Sequence, residues 1–183
     1  MRTRIHILGG SGSGTTTVGA ALAHRLAILH LDTDDYYWLP SHPPYAAKRP
    51  VEERLQLLDR DAGEDGSWVL SGSLCGWGDP LIPRFTHVLY LDVPTSVRLA
   101  RLERREQERY GELVARGGDM YEQSAAFLSW ASEYEAGGVE MRSRARHTVW
   151  LDMLRCQVLH LDGTREIEGL VRDVTAILVK PPR

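Results

Sequence analysis

The most constraining feature of this sequence is a cluster of four glycines in six residues, Gly9-Gly10-Ser11-Gly12-Ser13-Gly14. It lies between an apolar run and a helix-forming run. Residues 4–8, Arg-Ile-His-Ile-Leu, read as a short strand. Residues 15–26 read as a helix, with Val18, Ala21, Leu22 and Leu26 at helical spacing. A strand that turns through glycines into a helix leaves backbone N–H groups pointing into the turn. The first N–H groups of the helix have no partner inside it. The result is a positive socket that suits a phosphate.

The motif GxxxxGK[ST] is matched by Gly9, Gly14 and Thr16, with Thr15 where the motif has lysine. In this frame Thr16 carries the hydroxyl that binds Mg²⁺. The cofactors expected are ATP and Mg²⁺, held by Gly9, Gly10, Ser11, Gly12, Ser13, Gly14, Thr15, Thr16 and Thr17. Thr15 can donate a hydrogen bond but brings no charge to the phosphates, so a catalytic site needs a cation from elsewhere. A second frame also fits. Gly12, Gly14 and Thr17 approximate the GxGxxG of dinucleotide-binding proteins, with Asp32 or Asp34 near the distance of a ribose-binding acid. That frame explains fewer positions.

Further strands are expected at residues 28–31, 68–70, 87–93 and 157–161. Helices are expected near Val51, Leu55 and Leu58, at 95–109, 121–135 and 139–154, and in the last segment from Ile167 to Leu178. Residues 32–50 read as a loop and 116–119 as a break. Strands alternating with helices imply a parallel sheet covered on both faces. The expected class is therefore three-layer α/β/α, with five parallel strands in a single domain over residues 1–183. Residues 98–153 exceed what one crossover needs and read as a helical insertion that serves as a lid. No apolar run approaches the ~18 residues of a membrane span. The net charge of −3 argues against nucleic acid as the main partner. Cys75 and Cys156 lack metal or redox spacing, and free thiols fit a cytoplasmic protein.

The end of the second strand is acidic: Asp32-Thr33-Asp34-Asp35. In open α/β sheets, loops at the carboxyl ends of strands build the site. Acids placed there can hold a metal ion through water, and can orient or deprotonate an acceptor hydroxyl. A solvated, turn-capping role is the alternative for these acids. Arg98, Arg101, Arg105 and Arg109 fall on one helix face, where guanidinium groups could meet phosphate oxygens. Interleaved glutamates also allow a plain ion-paired surface. Arg142 and Arg146 form a second such pair. Phe127, Trp130 and Tyr134 form a stripe that reads as core.

The chain resembles the P-loop kinase superfamily of adenylate kinase, shikimate kinase and related small-molecule kinases. The resemblance rests on residues 9–16, on Asp32-Thr33-Asp34, on Ser71-Gly72-Ser73, on the arginines from Arg98 and on Leu161-Asp162-Gly163-Thr164. Residues 32–58, with Trp38 and Pro40, also resemble bacterial topology-modulation proteins. The resemblance implies transfer of the γ-phosphoryl group of ATP to a small-molecule hydroxyl or phosphate. Asp34, Asp32, Arg101 and Arg105 would be catalytic, and Thr16 and Asp32 would serve the metal. Asp34, Asp35, Arg49, Arg54, Gly72, Ser73 and Trp77 would surround the acceptor. A nucleotide-binding regulator, an NTP hydrolase and a dinucleotide-binding protein remain as alternatives.

Overall fold

The computed structural model describes residues 2–178. The five strands are β1 (Arg4–Gly9), β2 (Leu29–Asp32), β3 (Trp68–Ser71), β4 (His87–Asp92) and β5 (Gln157–Asp162). All pair in parallel, in the order β2-β3-β1-β4-β5. Parallel strands buried on both faces need apolar residues at consecutive positions. That explains Trp68-Val69-Leu70 and Val88-Leu89-Tyr90-Leu91, all buried. Alternate residues serve opposite faces. Ile5, Ile7, Val69, Leu89 and Leu91 pack under α1 (Thr15–Leu26) and α7 (Ile167–Leu178). Leu8, Trp68, Leu70, Val88 and Tyr90 face the other side, against α2 (Thr33–Tyr37), α3 (Val51–Ala62) and α6 (Arg144–Leu151). The remaining helices, α4 (Thr95–Tyr110) and α5 (Tyr121–Ser132), follow β4.

Two segments depart from the sequence expectation. Residues 32–50 open with a helical turn, α2, because the Asp32 carboxylate accepts the Asp34 N–H at 3.0 Å and caps it. The helix expected over 139–154 is shorter. Ser143 takes the N-cap position, accepting from Arg146 N at 3.0 Å and donating to Gly138 O at 2.7 Å. Arg142 therefore lies in a turn ahead of α6, off the helix that carries Arg146. No described helix is long and apolar enough to cross a membrane.

The sheet order bears on the competing frame. In the dinucleotide-binding order the second strand lies beside the first, which brings its terminal acid to the ribose. Here β3 separates them, so Asp32 instead pairs in register with Ser71.

Candidate active site

The carboxyl edge of the sheet aligns Gly9, Asp32, Ser71, Asp92 and Asp162 at the strand ends. From Gly9 the chain enters the glycine loop, where Gly12 and Gly14 take φ of 84° and 90°, the left-handed region that glycine reaches without strain. No side chain caps α1. Among the described residues, the N–H groups of Gly14, Thr15 and Thr16 take no partner, whereas Ser13 N donates to Gly10 O at 3.0 Å. Ser13 Oγ is buried and unpartnered as well. Free N–H groups at a helix start together with an orphaned hydroxyl fit an anion of several oxygens. Thr17 is exposed. The close helix–sheet approach falls at Gly19, where a Cβ would lie 2.8 Å from His30 Nε2.

Asp32 joins the loop to the acidic helix. Its Oδ2 accepts from Thr16 Oγ1 at 2.7 Å and from Ser71 Oγ at 3.1 Å, while Oδ1 holds the Asp34 N–H. Because the Thr16 proton goes to Asp32, the lone pairs of Thr16 Oγ1 are left for a cation to use. No cluster of three or more His, Cys, Asp or Glu side chains among the described residues could hold a metal by itself. A divalent ion would therefore rest on Thr16 and on the oxygens of a bound polyphosphate, with Asp32 behind.

Asp34 and Asp35 stand in the first turn of α2. Asp34 is exposed to solvent, although the surrounding protein still desolvates it. Desolvation pushes its pKa up. Arg142 and, more weakly, Arg105 pull it down, while Asp32 and Asp35 push it up. Asp35 is raised by desolvation and then by Asp32.

The arginine face divides by position. Arg98 is 1% exposed, beneath the glycine loop. It donates to Ser11 O at 3.0 Å, Ala131 O at 3.3 Å and Thr95 Oγ1 at 3.0 Å. Arg101 grips Gly163 O at 3.1 Å and approaches Ser13 O at 3.4 Å, bracing the β5–α7 turn against the loop. Arg105 lies above the Phe127 ring and pairs with Glu106 at 3.4 Å, and its charge weakly lowers the Asp34 pKa. Arg104 is solvated, paired with Glu108. Arg142 reaches Ser11 Oγ at 3.5 Å and lies over Trp130. The aromatic stripe thus seats four arginines, Arg105 on Phe127, Arg142 on Trp130, and Arg98 and Arg144 on Tyr134, and Trp130 remains 36% exposed. Tyr134 alone is deep core.

On the acceptor side, Arg49 gives Nε to Tyr36 O at 3.0 Å and Nη2 to Trp38 O at 3.4 Å, tying down the end of α2. Arg54 is buried rather than solvated. It donates to Arg49 O at 2.6 Å and covers the Tyr37 ring at 3.8 Å. Trp77 is buried edge-on to Tyr37, with Nε1 bonded to Ser73 O at 3.1 Å. Gly72 has φ 106°, and a Cβ there would lie 1.8 Å from Thr33 Oγ1. That glycine lets the turn after β3 press against α2.

A buried polar chain that sequence reading missed starts at Ser73. Its Oγ lies 3.4 Å from His147 Nε2. His147 Nδ1 lies 2.8 Å from Tyr134 Oη, which lies 2.8 Å from Tyr90 Oη. Arg144 donates to Tyr90 Oη at 3.3 Å and pairs with Asp92 and Glu135. These residues are scattered between positions 73 and 147, and only folding assembles them. The chain fixes α6, and with it the Arg142 turn, to the β3 end of the site.

The family model described as AAA domain matches residues 5–124. The uncharacterized protein YqaC of Bacillus subtilis (strain 168) is 50% identical over 162 residues, 88% of this chain and 89% of that protein. Similar solved structures include shikimate kinase from Acinetobacter baumannii in complex with shikimate, with TM-score 0.57 and 16% identity over 98% of this chain and 94% of that one. A gluconokinase from Sinorhizobium meliloti 1021 aligns with TM-score 0.53 and 17% identity over 96% and 92%. A sugar kinase from Janibacter sp. HTCC2649 gives 0.54 and 16% over 97% and 95%. At these identities the likeness to those three structures is one of fold alone.

Proposed function

We propose that this chain, which belongs to the AAA-domain family, is an ATP-dependent phosphotransferase acting on a small-molecule hydroxyl or phosphate. The observation that carries the reading is the Asp32 carboxylate, which ties the Thr16 hydroxyl to the turn that presents Asp34. One side chain thereby sets the metal-binding oxygen and the acceptor-binding carboxylate in fixed relation. Positioning of this kind supplies most of the catalysis in phosphoryl transfer.

Bound Mg·ATP would supply the phosphoryl group and part of the charge neutralisation. The free N–H groups of Gly14, Thr15 and Thr16 would hold the phosphates. Thr16 would ligate the metal, with Asp32 keeping its proton turned away. Asp34 would accept the proton of the acceptor hydroxyl, and its raised pKa makes it a better base than a free carboxylate. Arg105 and Arg142, whose charges act on Asp34, would stabilise charge on the transferring group. Of the insertion over residues 98–153, the part between Arg101 and α6 would act as the lid that carries them, because Arg98 and α6 are packed against the loop and the sheet. Arg101, on carbonyl oxygens of the loop and the β5–α7 turn, would frame the nucleotide pocket. Both cysteines are free, which fits the reducing cytoplasm.

The absent lysine at position 15 favours a second reading, a nucleotide-binding regulator with little turnover. ATP consumption measured with and without a panel of sugar, polyol, shikimate-like and nucleoside-monophosphate acceptors separates the readings. Acceptor-dependent ADP release is the expected result. Nucleotide binding without turnover for any acceptor supports the regulator, and acceptor-independent release supports a hydrolase.

A further inference from the structure

The phosphate loop lacks its lysine, yet a cation is already built against it. Arg98 is almost wholly buried, and it forms no ion pair among the described residues. Its guanidinium is held by two carbonyl oxygens, a hydroxyl and the face of the Tyr134 ring at 4.6 Å. Its Nε is buried with no partner. Arginine does not deprotonate in proteins, so this is a permanent charge. A buried cation with no carboxylate in ion-pair contact is costly. Glu135 acts on it only through longer-range attraction, and the loop packed directly against it carries no opposing charge.

The packing between Arg98 and the loop is intimate. A Cβ added to Gly10 would stand 3.1 Å from Cζ, Nε and Nη1 of Arg98 alike. Three atoms at one distance mean that the guanidinium lies face-on against the Gly10 backbone. Gly10 has no positive φ, unlike Gly12 and Gly14. Its lack of a side chain therefore serves the arginine rather than the turn. At Gly12 a Cβ would come within 2.5 Å of Arg98 O, so α4 presses on the loop at two successive glycines.

We propose that Arg98 is the fixed positive charge of this phosphate site, acting from beneath the loop through Gly10 and Ser11 in place of the lysine absent at position 15. The ligand class it selects is a polyphosphate. This rests on the nucleotide-binding reading above. Arg98 touches the loop and not the ligand, so it is a positioning and electrostatic residue. Its charge is present whether the lid is open or closed, unlike that of Arg105 and Arg142.

The test is calorimetric binding of ADP and of uncharged adenosine to the wild type, Arg98→Gln, Arg98→Lys, Thr15→Lys and the Thr15→Lys/Arg98→Gln double variant. Arg98→Gln keeps a polar amide at the Nε position and removes the charge. It is expected to weaken ADP by at least about tenfold while adenosine changes by less than about threefold. Arg98→Lys keeps the charge and should hold ADP within about threefold of wild type. Thr15→Lys should restore ADP binding to the Arg98→Gln protein, with a smaller gain in the wild-type background. Equal losses for ADP and adenosine, or the same gain from Thr15→Lys in both backgrounds, would overturn the proposal by showing that Arg98 only supports the loop's shape. If Arg98→Gln is not recovered folded, Thr15→Lys alone decides. It should raise ADP affinity less than about tenfold, and a larger gain would mean that the wild-type loop lacks its charge. A wild type that binds no nucleotide would instead refute the nucleotide-binding reading itself.

Discussion

Lowering the pH from about 8 to about 5 should remove about 4 kcal/mol of folding stability, through two histidines that must stay neutral. His6 and His147 are both 0% exposed. His6 stacks on Phe85, bonds Leu70 O through Nδ1 at 3.0 Å, and has Nε2 buried without a partner. A proton on Nε2 would be a buried donor with nothing to accept it. Desolvation lowers the His6 pKa to about 4. His147 is lowered to about 3, first by desolvation and then by Arg142, His6, Arg146 and Arg144. Both folded values lie below the unfolded value of about 6.5, so the unfolded chain takes up protons first. Stability is then full above about pH 6.5 and falls until the pH reaches the folded values. At about pH 5 the unfolded chain is nearly fully protonated at both sites and the folded protein hardly at all, a loss of about 2 kcal/mol each. His30 and His87, also lowered by desolvation, add to the loss, while the raised Asp34 and Asp35 offset part of it. With a urea slope of about 2 kcal/mol per M, the unfolding midpoint should drop by about 2 M. The assay is urea unfolding at a series of pH values on the wild type, His6→Phe and His147→Gln. Each variant should lose about half of the pH dependence. A midpoint that stays constant across this range, or variants that retain the full dependence, would refute the reasoning.

Asp34→Asn should lower turnover by about 10²–10⁴-fold and leave ADP affinity nearly unchanged, as read by steady-state kinetics and calorimetry. In the wild type the acid limb of kcat/KM should lie above the ordinary carboxylate range, because burial raises Asp34. Activity then falls as the pH drops through that raised value, and wild-type turnover in Asp34→Asn would exclude Asp34 as the base. Asp32→Ala removes the α2 cap and frees Thr16 and Ser71. It should cost about 1–2 kcal/mol, several degrees of melting temperature, and abolish the Mg²⁺ dependence of ADP binding. Unaltered Mg²⁺ dependence would remove Asp32 from the metal shell.

The sequence by itself determined the fold class and the loop. The alternation of short apolar runs with helical periods leaves little besides a parallel sheet covered on both faces. The spacing Gly9, Gly14, Thr16 is local, and so is the conformation it encodes. Asp32 was legible because it closes a strand, and a strand end in such a sheet is a site position whatever surrounds it. Local signals also failed locally. The short helix α2 and the late start of α6 both follow from a capping side chain, Asp32 or Ser143, whose preference for a cap over a loop or a helix interior depends on what its hydroxyl or carboxylate can reach.

Only the tertiary structure decided what each arginine does. Arg98, Arg101 and Arg105 share a helix face and look equivalent along the chain. Two turns of helix, about 10.5 Å, separate Arg98 beneath the loop from Arg105 above the Phe127 ring. Arg98 is therefore buried against Gly10, Arg101 is spent on carbonyl oxygens, and Arg105 lies above Phe127, where its charge acts on Asp34. Arg142 joins that group from a turn 108 residues beyond Asp34 in the chain. The strand order was equally hidden, because periodicity records how a strand is buried and not which neighbour it pairs with. Placing β3 between β1 and β2 is what brings Ser71 to Asp32 and turns a glycine loop, an acidic turn and a serine into one hydrogen-bonded unit. Charge and pairing across the fold are properties of distance in space, and one-dimensional spacing carries no record of them.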